Sequence, residues 1–177
     1  MYLPLRWQLA TALAAQCLAL GTAAQPSLHP TTTLVISGKV AKTLNLTVDD
    51  LRRYPAHQIE EPPLNGTPQN QATELPRSFT GCVLRDVLAA AKPVESKPRN
   101  LRKTYVVATA SDGYAVIFSW AELFVPARGE SVIVAYERDG DPLSVDEGRI
   151  ALIAVSGTRP ARHVKWLRSV EVRTIDP

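Results

Sequence analysis

Cysteine is scarce in this sequence of 177 residues, which contains only two. Cys17 lies in an N-terminal apolar segment, so a chain that loses this segment keeps only Cys82 and has no internal disulfide. Its stability must then come from a hydrophobic core, which 45% hydrophobic residues can supply. The sequence also lacks a Walker-type loop, a GxGxxG fingerprint and a CxxC pair, which excludes the phosphate and dithiol sites built on these motifs. The histidines His29, His57 and His163 are too scattered to predict a zinc site.

Neither sign of charge dominates the sequence. Lysine and arginine number 20 and the acidic residues 17, which gives a formal net charge of +3. Binding to nucleic acid usually requires a dense basic face. We therefore expect no nucleic-acid partner, and the composition is that of one folded domain.

The N-terminus has the pattern of a signal peptide over Met1–Ala24, in which Arg6 precedes a stretch rich in Ala and Leu. Thr22 and Ala24 suit the positions three and one before a cleavage site, so we expect cleavage after Ala24. This division leaves a leader over 25–33 and a domain over 34–177. The alternative, a membrane anchor, is disfavoured because the apolar stretch is short and ends before Pro26. We therefore expect an exported, periplasmic protein that is not integral to the membrane.

Short strands and a few short helices alternate along the rest of the chain. Thr47 and Ser119 suit helix N-caps, and Gly113 suits a turn between two strands. A long loop is predicted over Pro62–Pro76, which is rich in Pro, Asn and Gln. This pattern predicts a mixed α/β (α+β) domain dominated by sheet. The predicted strands are 34–40, 44–47, 105–108, 115–118, 132–136, 150–155 and 163–172, and the predicted helices are 47–54, 83–91 and 120–124.

The segment Gly157–Leu167 concentrates the chemistry of the sequence. It holds three fixed cations, the imidazole of His163 and the indole of Trp166. Arg162 offers a planar fork and Lys165 a point charge, a combination that suits an anionic or a planar polar ligand. The alternative is an ordinary solvated strand edge.

Cys82 is the only other candidate for reactive chemistry. With His163 it could form a nucleophile and its base. A single cysteine between a glycine and an apolar helix is more often a small buried hydrophobe, which is the interpretation that we adopt. We assign no catalytic residue.

Ala161–Leu167, with the sequence ARHVKWL, closes a series of motifs in a fixed order. The earlier motifs are Leu34–Val40, Thr47–Tyr54, Phe79–Leu88, Ser111–Tyr114 and Ala135–Leu143. The series covers residues 34 to 173 and resembles the molybdopterin-binding domain of the sulfite oxidase family. The resemblance implies a mixed α/β fold with a largely antiparallel sheet, short helices and a pocket for a pyranopterin.

Two departures from the family pattern concern the metal. The family's molybdenum-ligating cysteine belongs upstream of the Phe79–Leu88 motif, but His57–Glu74 contains no cysteine. Cys82 occupies an apolar position of that motif, where it should pack rather than ligate. Asp146-Glu147-Gly148 also stands where the family has Asp-His-Gly. A soft metal without its thiolate loses its anchor, so we expect no bound metal.

Small exported members of this fold without the ligand cysteine are similar to periplasmic pterin-binding proteins. These report to membrane receptors that control cyclic-di-GMP turnover, and we expect this function and this kind of partner here. The resemblance implies that Arg162, His163 and Lys165 donate to the pterin. Asp112 and Tyr114 are weaker candidates, and Trp166 could stack on its ring.

Two alternatives remain open at this stage. One is a molybdopterin-dependent, sulfite oxidase-like oxidoreductase or a degenerate relative, in which Cys82 or an outside ligand completes the metal site. The other is an interaction module that uses a sheet edge and the Pro62–Pro76 loop.

Overall fold

The computed structural model describes residues 31–61, 77–94, 97–125, 129–156 and 159–175. The predicted signal peptide over 1–24, the leader up to residue 30, the Pro62–Pro76 loop and residues 157–158 lie outside the described residues. The strands are β1 Thr33–Gly38, β2 Leu44–Thr47, β3 Ala56–Glu61, β4 Arg77–Val83, β5 Thr104–Ala110, β6 Ala115–Ser119, β7 Val132–Arg138, β8 Asp141–Pro142, β9 Ala151–Ser156, β10 Arg159–Val164 and β11 Leu167–Thr174. The helices are α1 Val48–Leu51, α2 Leu84–Ala90, α3 Pro98–Leu101 and α4 Trp120–Phe124.

The strands form two sheets. The first sheet has the order β2-β1-β11-β5-β6, and the second has the order β10-β9-β7-β4-β3 with β8 added to β7. Within the described strands, only β1 and β11 pair in parallel, and the other pairs are antiparallel. The expected mixed α/β fold with largely antiparallel sheets is confirmed.

Side-chain hydrogen bonds begin two of the short helices where the sequence predicts them. The Thr47 side chain accepts from the Asp50 backbone N–H and the Asp50 carboxylate accepts from the Thr47 N–H, which forms a capping box. The Ser119 hydroxyl accepts from the Glu122 N–H at the start of α4. α1 ends at Leu51, earlier than the predicted Tyr54.

The main core lies between the two sheets. Alternate residues of β5 and β11, such as Val106 and Val170, point into it from the first sheet, as the two-residue period of a strand requires. Val134 and Leu152 meet them from the second sheet. A smaller cluster lies on the opposite face of the second sheet and comprises Phe79, Ile133, Ala135, Leu143, Ala151 and Ile153. None of the helices in the described part of the chain is long and apolar enough to span a membrane.

Two sequence-based expectations are corrected. The strands β3 and β4 were not predicted, and they pair from Ala56 with Cys82 to Glu61 with Arg77. The prediction of one final strand over 163–172 is wrong, because the chain turns at Trp166 and passes from the second sheet to the first. Trp166 has a φ of 49°, which breaks the extended conformation.

Gly81 lies at a close approach between β4 and β7. A Cβ at this position would lie 2.2 Å from the carbonyl oxygen of Val134 and 2.7 Å from the Cα of Ala135. Both atoms belong to the backbone of β7 and cannot rotate away. The sequence motif that includes Gly81 therefore has a packing role.

We expect Gly81→Ala to lower the free energy of unfolding by about 3 kcal/mol or more, because the methyl group must push two paired strands apart. The control is Gly140→Ala, where a Cβ meets nothing within 4 Å and φ is +88°. An alanine at position 140 is disfavoured only by the positive φ, which lowers the free energy of unfolding by roughly 1–2 kcal/mol. Urea unfolding of both variants measures the difference, and equal losses would contradict the close approach.

Candidate functional site

Three turns meet at one end of the molecule, and we call them the three-turn cluster: residues 111–114, 145–148 and 165–166. The Ser111 backbone N–H donates to the Trp166 carbonyl at 3.0 Å, and the Trp166 N–H donates to the Glu147 carbonyl at 2.9 Å. The indole Nε1 of Trp166 donates to the Val145 carbonyl at 2.9 Å. The Lys165–Trp166 turn therefore joins the other two.

Gly148 allows the close contact between two of these turns. Its φ is +76°, and a Cβ there would lie 2.7 Å from the Trp166 Cα and 2.8 Å from the indole Cδ1. Both conditions favour glycine. The Asp146-Glu147-Gly148 motif thus places Glu147 directly beside the Lys165–Trp166 turn.

Glu147 is a buried carboxylate, with its residue only 4% exposed. Its Oε1 lies 3.2 Å from Nζ of Lys165 and 3.3 Å from Nη1 of Arg138. Its Oε2 lies 2.8 Å from Nε2 of His163. This one carboxylate therefore contacts basic side chains from β7, from β10 and from the turn that follows β10.

The imidazole of His163 faces the carboxylate of Glu147. Nε2 lies 2.8 Å from Oε2, and within the described chain both atoms are sealed from solvent without a partner of full hydrogen-bond geometry. The ring of His163 also packs edge-on against Phe79, with 5.6 Å between ring centroids. His163 is therefore held by packing against Phe79 and by its contact with Glu147.

Two opposing effects set the pKa of Glu147. Burial raises this pKa, but the contacts with His163 and Lys165 outweigh burial and lower it to about 2. The carboxylate is thus ionised at any physiological pH, and its negative charge compensates the basic groups around it.

Arg162 does not join this group. One of its guanidinium nitrogens donates to the Glu122 carboxylate, and Nη1 donates to the Ile117 carbonyl at 3.1 Å. The guanidinium carbon lies 4.1 Å from the centroid of the Phe118 ring. Since adjacent side chains of a strand point to opposite faces, Arg162 is directed away from His163. The structure brings His163 and Lys165 together but not Arg162.

The other sequence-predicted site residues lie in the three-turn cluster. The Asp112 carboxylate accepts from the Tyr114 backbone N–H at 2.9 Å, which gives the residue a structural role in the turn. The Tyr114 side chain is available, since the residue is 53% exposed. Trp166 is half-buried, and its N–H is already used by Val145.

Cys82 packs in the main core, fully buried in β4. Burial raises the pKa of its thiol to about 12, so a thiolate is not formed at neutral pH. His163 pairs with Ile153 of the smaller cluster, on the opposite face of the second sheet, so the structure does not bring Cys82 and His163 together. Within the described ranges, no group of three His, Cys, Asp or Glu residues could hold a metal ion.

A separate cavity of about 230 Å³ lies beside α1 and the β7–β8 hairpin. Sequence reasoning did not select its polar residues, Arg52, Tyr136 and Arg149, because they are far apart in the chain. It also missed Glu147 and Arg138 as partners of the basic residues, although the replacement of His by Glu147 in the Asp-His-Gly motif was a signal. The cavity lining comprises Val48, Arg52, Tyr136, Pro142, Leu143 and Arg149.

We expect Glu147→Gln to remove part of the acid sensitivity of folding. A carboxyl whose pKa falls from 4.5 unfolded to about 2 folded adds stability above pH 4.5 and loses it as the pH falls toward 2. The difference in unfolding free energy between the wild type and the variant should thus be about 2–3 kcal/mol at pH 6 and shrink toward zero at pH 2. Urea unfolding over this pH range measures it.

Glu60→Gln is the matched control, because Glu60 is an exposed glutamate of β3. The control should follow the wild-type curve. A constant difference between wild type and Glu147→Gln at every pH would contradict the assigned role of the carboxylate.

The chain is similar to known proteins in both sequence and structure. Mitochondrial sulfite oxidase of Rattus norvegicus is 28% identical over 172 residues, which covers 84% of this chain and 30% of the rat protein. An NADPH nitrate reductase of Leptosphaeria maculans is 35% identical over 107 residues, which covers 56% of this chain and 11% of the fungal protein. The chain thus spans less than a third of the length of these relatives.

The solved structure of the sulfane dehydrogenase SoxCD from Paracoccus pantotrophus shares the fold. Its TM-score is 0.57 at 22% sequence identity, over 82% of this chain and 39% of that chain. The family model for the oxidoreductase molybdopterin binding domain matches residues 22–177. With nearly the whole sequence matched and the fold in agreement, the chain belongs to the oxidoreductase molybdopterin-binding domain family.

Proposed function

We propose that this protein binds a pterin without molybdenum and acts as a periplasmic ligand sensor. Its partner would be a membrane receptor that controls cyclic-di-GMP turnover. The observation that carries the metal-free assignment is the burial of Cys82, the only cysteine outside the N-terminal apolar segment. Membership of a pterin-cofactor family supports the class of ligand.

The donors of this chain do not fit molybdenum. A soft metal centre of this kind requires a thiolate. Cys82 is fully buried in the core, and its pKa of about 12 keeps it protonated. Movement of Cys82 to a metal would require β4 to leave the second sheet, so we assign no redox step to this protein.

The three-turn cluster fits the pterin itself. A pterin is a flat heterocycle with hydrogen-bond donors and acceptors along one edge. The exposed ring of Tyr114 and the half-buried indole of Trp166 can supply planar contacts. The side chain of Lys165 is 44% exposed and can donate to a ring carbonyl or nitrogen beside its contact with Glu147.

Charge compensation favours a neutral pterin over a phosphorylated one. Glu147 already neutralises part of the positive charge of Arg138 and Lys165. A phosphate group that approached these residues would meet the buried carboxylate. In this proposal Lys165 binds the ligand, His163 and Arg138 hold Glu147, and Arg162 ties β10 to α4.

A molybdopterin-dependent oxidoreductase is the second candidate. The similarity to sulfite oxidase over 84% of this chain favours it. It requires a thiolate from outside the chain or a rearranged Cys82. Metal content separates the two candidates directly.

We expect the protein, produced in a host replete with molybdenum, to contain no stoichiometric molybdenum and to bind oxidised or reduced pterin in a saturable manner. The thiol needed by the metal is buried, whereas the planar and polar groups of the three-turn cluster are accessible. Elemental analysis and quenching of pterin fluorescence measure the two properties. One molybdenum per chain would establish the oxidoreductase candidate instead, and the absence of pterin binding would favour an interaction module.

We expect Lys165→Ala to weaken pterin binding about 10-fold, since a charged hydrogen bond to the ligand contributes about 1.5 kcal/mol. Lys42→Ala is the matched control, because Lys42 is an exposed lysine remote in sequence from the cluster. Fluorescence titration measures both affinities, and thermal unfolding checks that both variants are folded. Equal affinities for Lys165→Ala and the wild type would remove Lys165 from the site.

A further inference from the structure

The cavity beside α1 is distinct from the three-turn cluster, since Glu147, Lys165 and Trp166 do not line it. Its volume of about 230 Å³ is smaller than most ligand pockets, which span roughly 300–1,000 Å³. One part of its wall is apolar, from Val48, Pro142 and Leu143. The other lining residues are Arg52, Tyr136 and Arg149. A cavity of this size and lining suits a small ligand with one polar end.

Tyr136 supplies an unused hydrogen-bond donor to this cavity. The residue is only 4% exposed, and among the described residues its hydroxyl has no hydrogen-bond partner. Tyr136 is one of the residues that line the cavity. Its phenolic hydroxyl can act as a hydrogen-bond donor to a ligand bound there.

The two arginines give the cavity a net positive charge. Arg52 forms an ion pair with Glu137 at 2.9 Å, and its guanidinium lies 5.5 Å from the centroid of the Tyr136 ring. Arg149 is exposed and forms no ion pair with any residue that the structure describes. With Arg52 balanced by Glu137, one uncompensated positive charge remains. This balance matches a monoanion better than a dianion.

We propose that this cavity binds a small monocarboxylate with an apolar body. The guanidinium of Arg149 pairs with the carboxylate, whose planar pair of oxygens matches the planar fork of arginine. Tyr136 donates its hydroxyl to the same group, and Arg52 adds positive charge. The apolar body rests on Val48 and Leu143. This site is independent of the proposed pterin site, so either can fail without the other.

The test is a titration of the folded protein with benzoate, benzamide and inorganic phosphate, followed by backbone amide chemical shifts. We expect benzoate to cause saturable shifts around Arg52 and Tyr136. Benzamide, which has the same shape without the charge, and phosphate, which lacks the apolar body, should each bind at least 10-fold more weakly. The proposal is wrong if benzamide binds as tightly as benzoate or if phosphate binds more tightly than benzoate. It is also wrong if benzoate causes no saturable shift.

Variants assign the binding to the named side chains. Arg149→Ala should weaken benzoate binding at least 10-fold, and Tyr136→Phe, which keeps the ring, at least 3-fold. Arg168→Ala is the control, because Arg168 is an exposed arginine of β11 that forms no ion pair within the described ranges. Thermal unfolding checks that the variants are folded. Equal effects of Arg149→Ala and Arg168→Ala would show a general charge effect and contradict the site.

Discussion

The buried carboxylate of Glu147 is the interaction on which the candidate site depends. It lies within 3.3 Å of side-chain nitrogens of Arg138, His163 and Lys165, and the charges of Arg138 and Lys165 would repel one another without it. Removal of this carboxylate destabilises the protein because it leaves basic groups uncompensated, but a buried ion pair as a whole adds less stability than a well-packed apolar core. The main core therefore carries the fold, and Glu147 fixes where the basic side chains point and how much charge a ligand meets.

The same region joins the two sheets. Trp166 turns the chain from β10 to β11, and the Leu167 N–H donates to the Ile150 carbonyl at 2.9 Å immediately afterwards. Gly148 admits the Trp166 backbone at a distance that a Cβ would forbid. A ligand that moved the Lys165–Trp166 turn would therefore act on both sheets at once. Such a coupling is what a sensor requires to convert binding into a change at a distant surface.

The sequence predicted what local patterns control and missed what depends on distant contacts. Caps at Thr47 and Ser119 are local hydrogen bonds and were predicted correctly. The end of β10 depends on the contact of Trp166 with Gly148. The periodicity of hydrophobic residues along the sequence gives no signal of such a long-range contact. His163 and Lys165 were recognised as candidates, but their partner was not, because Glu147 lies on another turn. Arg162 was grouped with them by its position in the sequence, whereas strand alternation directs it to Glu122.

Two differences from the family pattern act in the same direction. A thiol packed in the core, with a pKa of about 12, removes the donor that anchors a soft metal. A carboxylate at position 147, where the family has histidine, reduces the positive charge available to an anionic group. Together they leave planar contacts and one exposed ammonium group beside a basic cluster whose charge Glu147 partly compensates, an arrangement that agrees with the proposed binding of a neutral heterocycle.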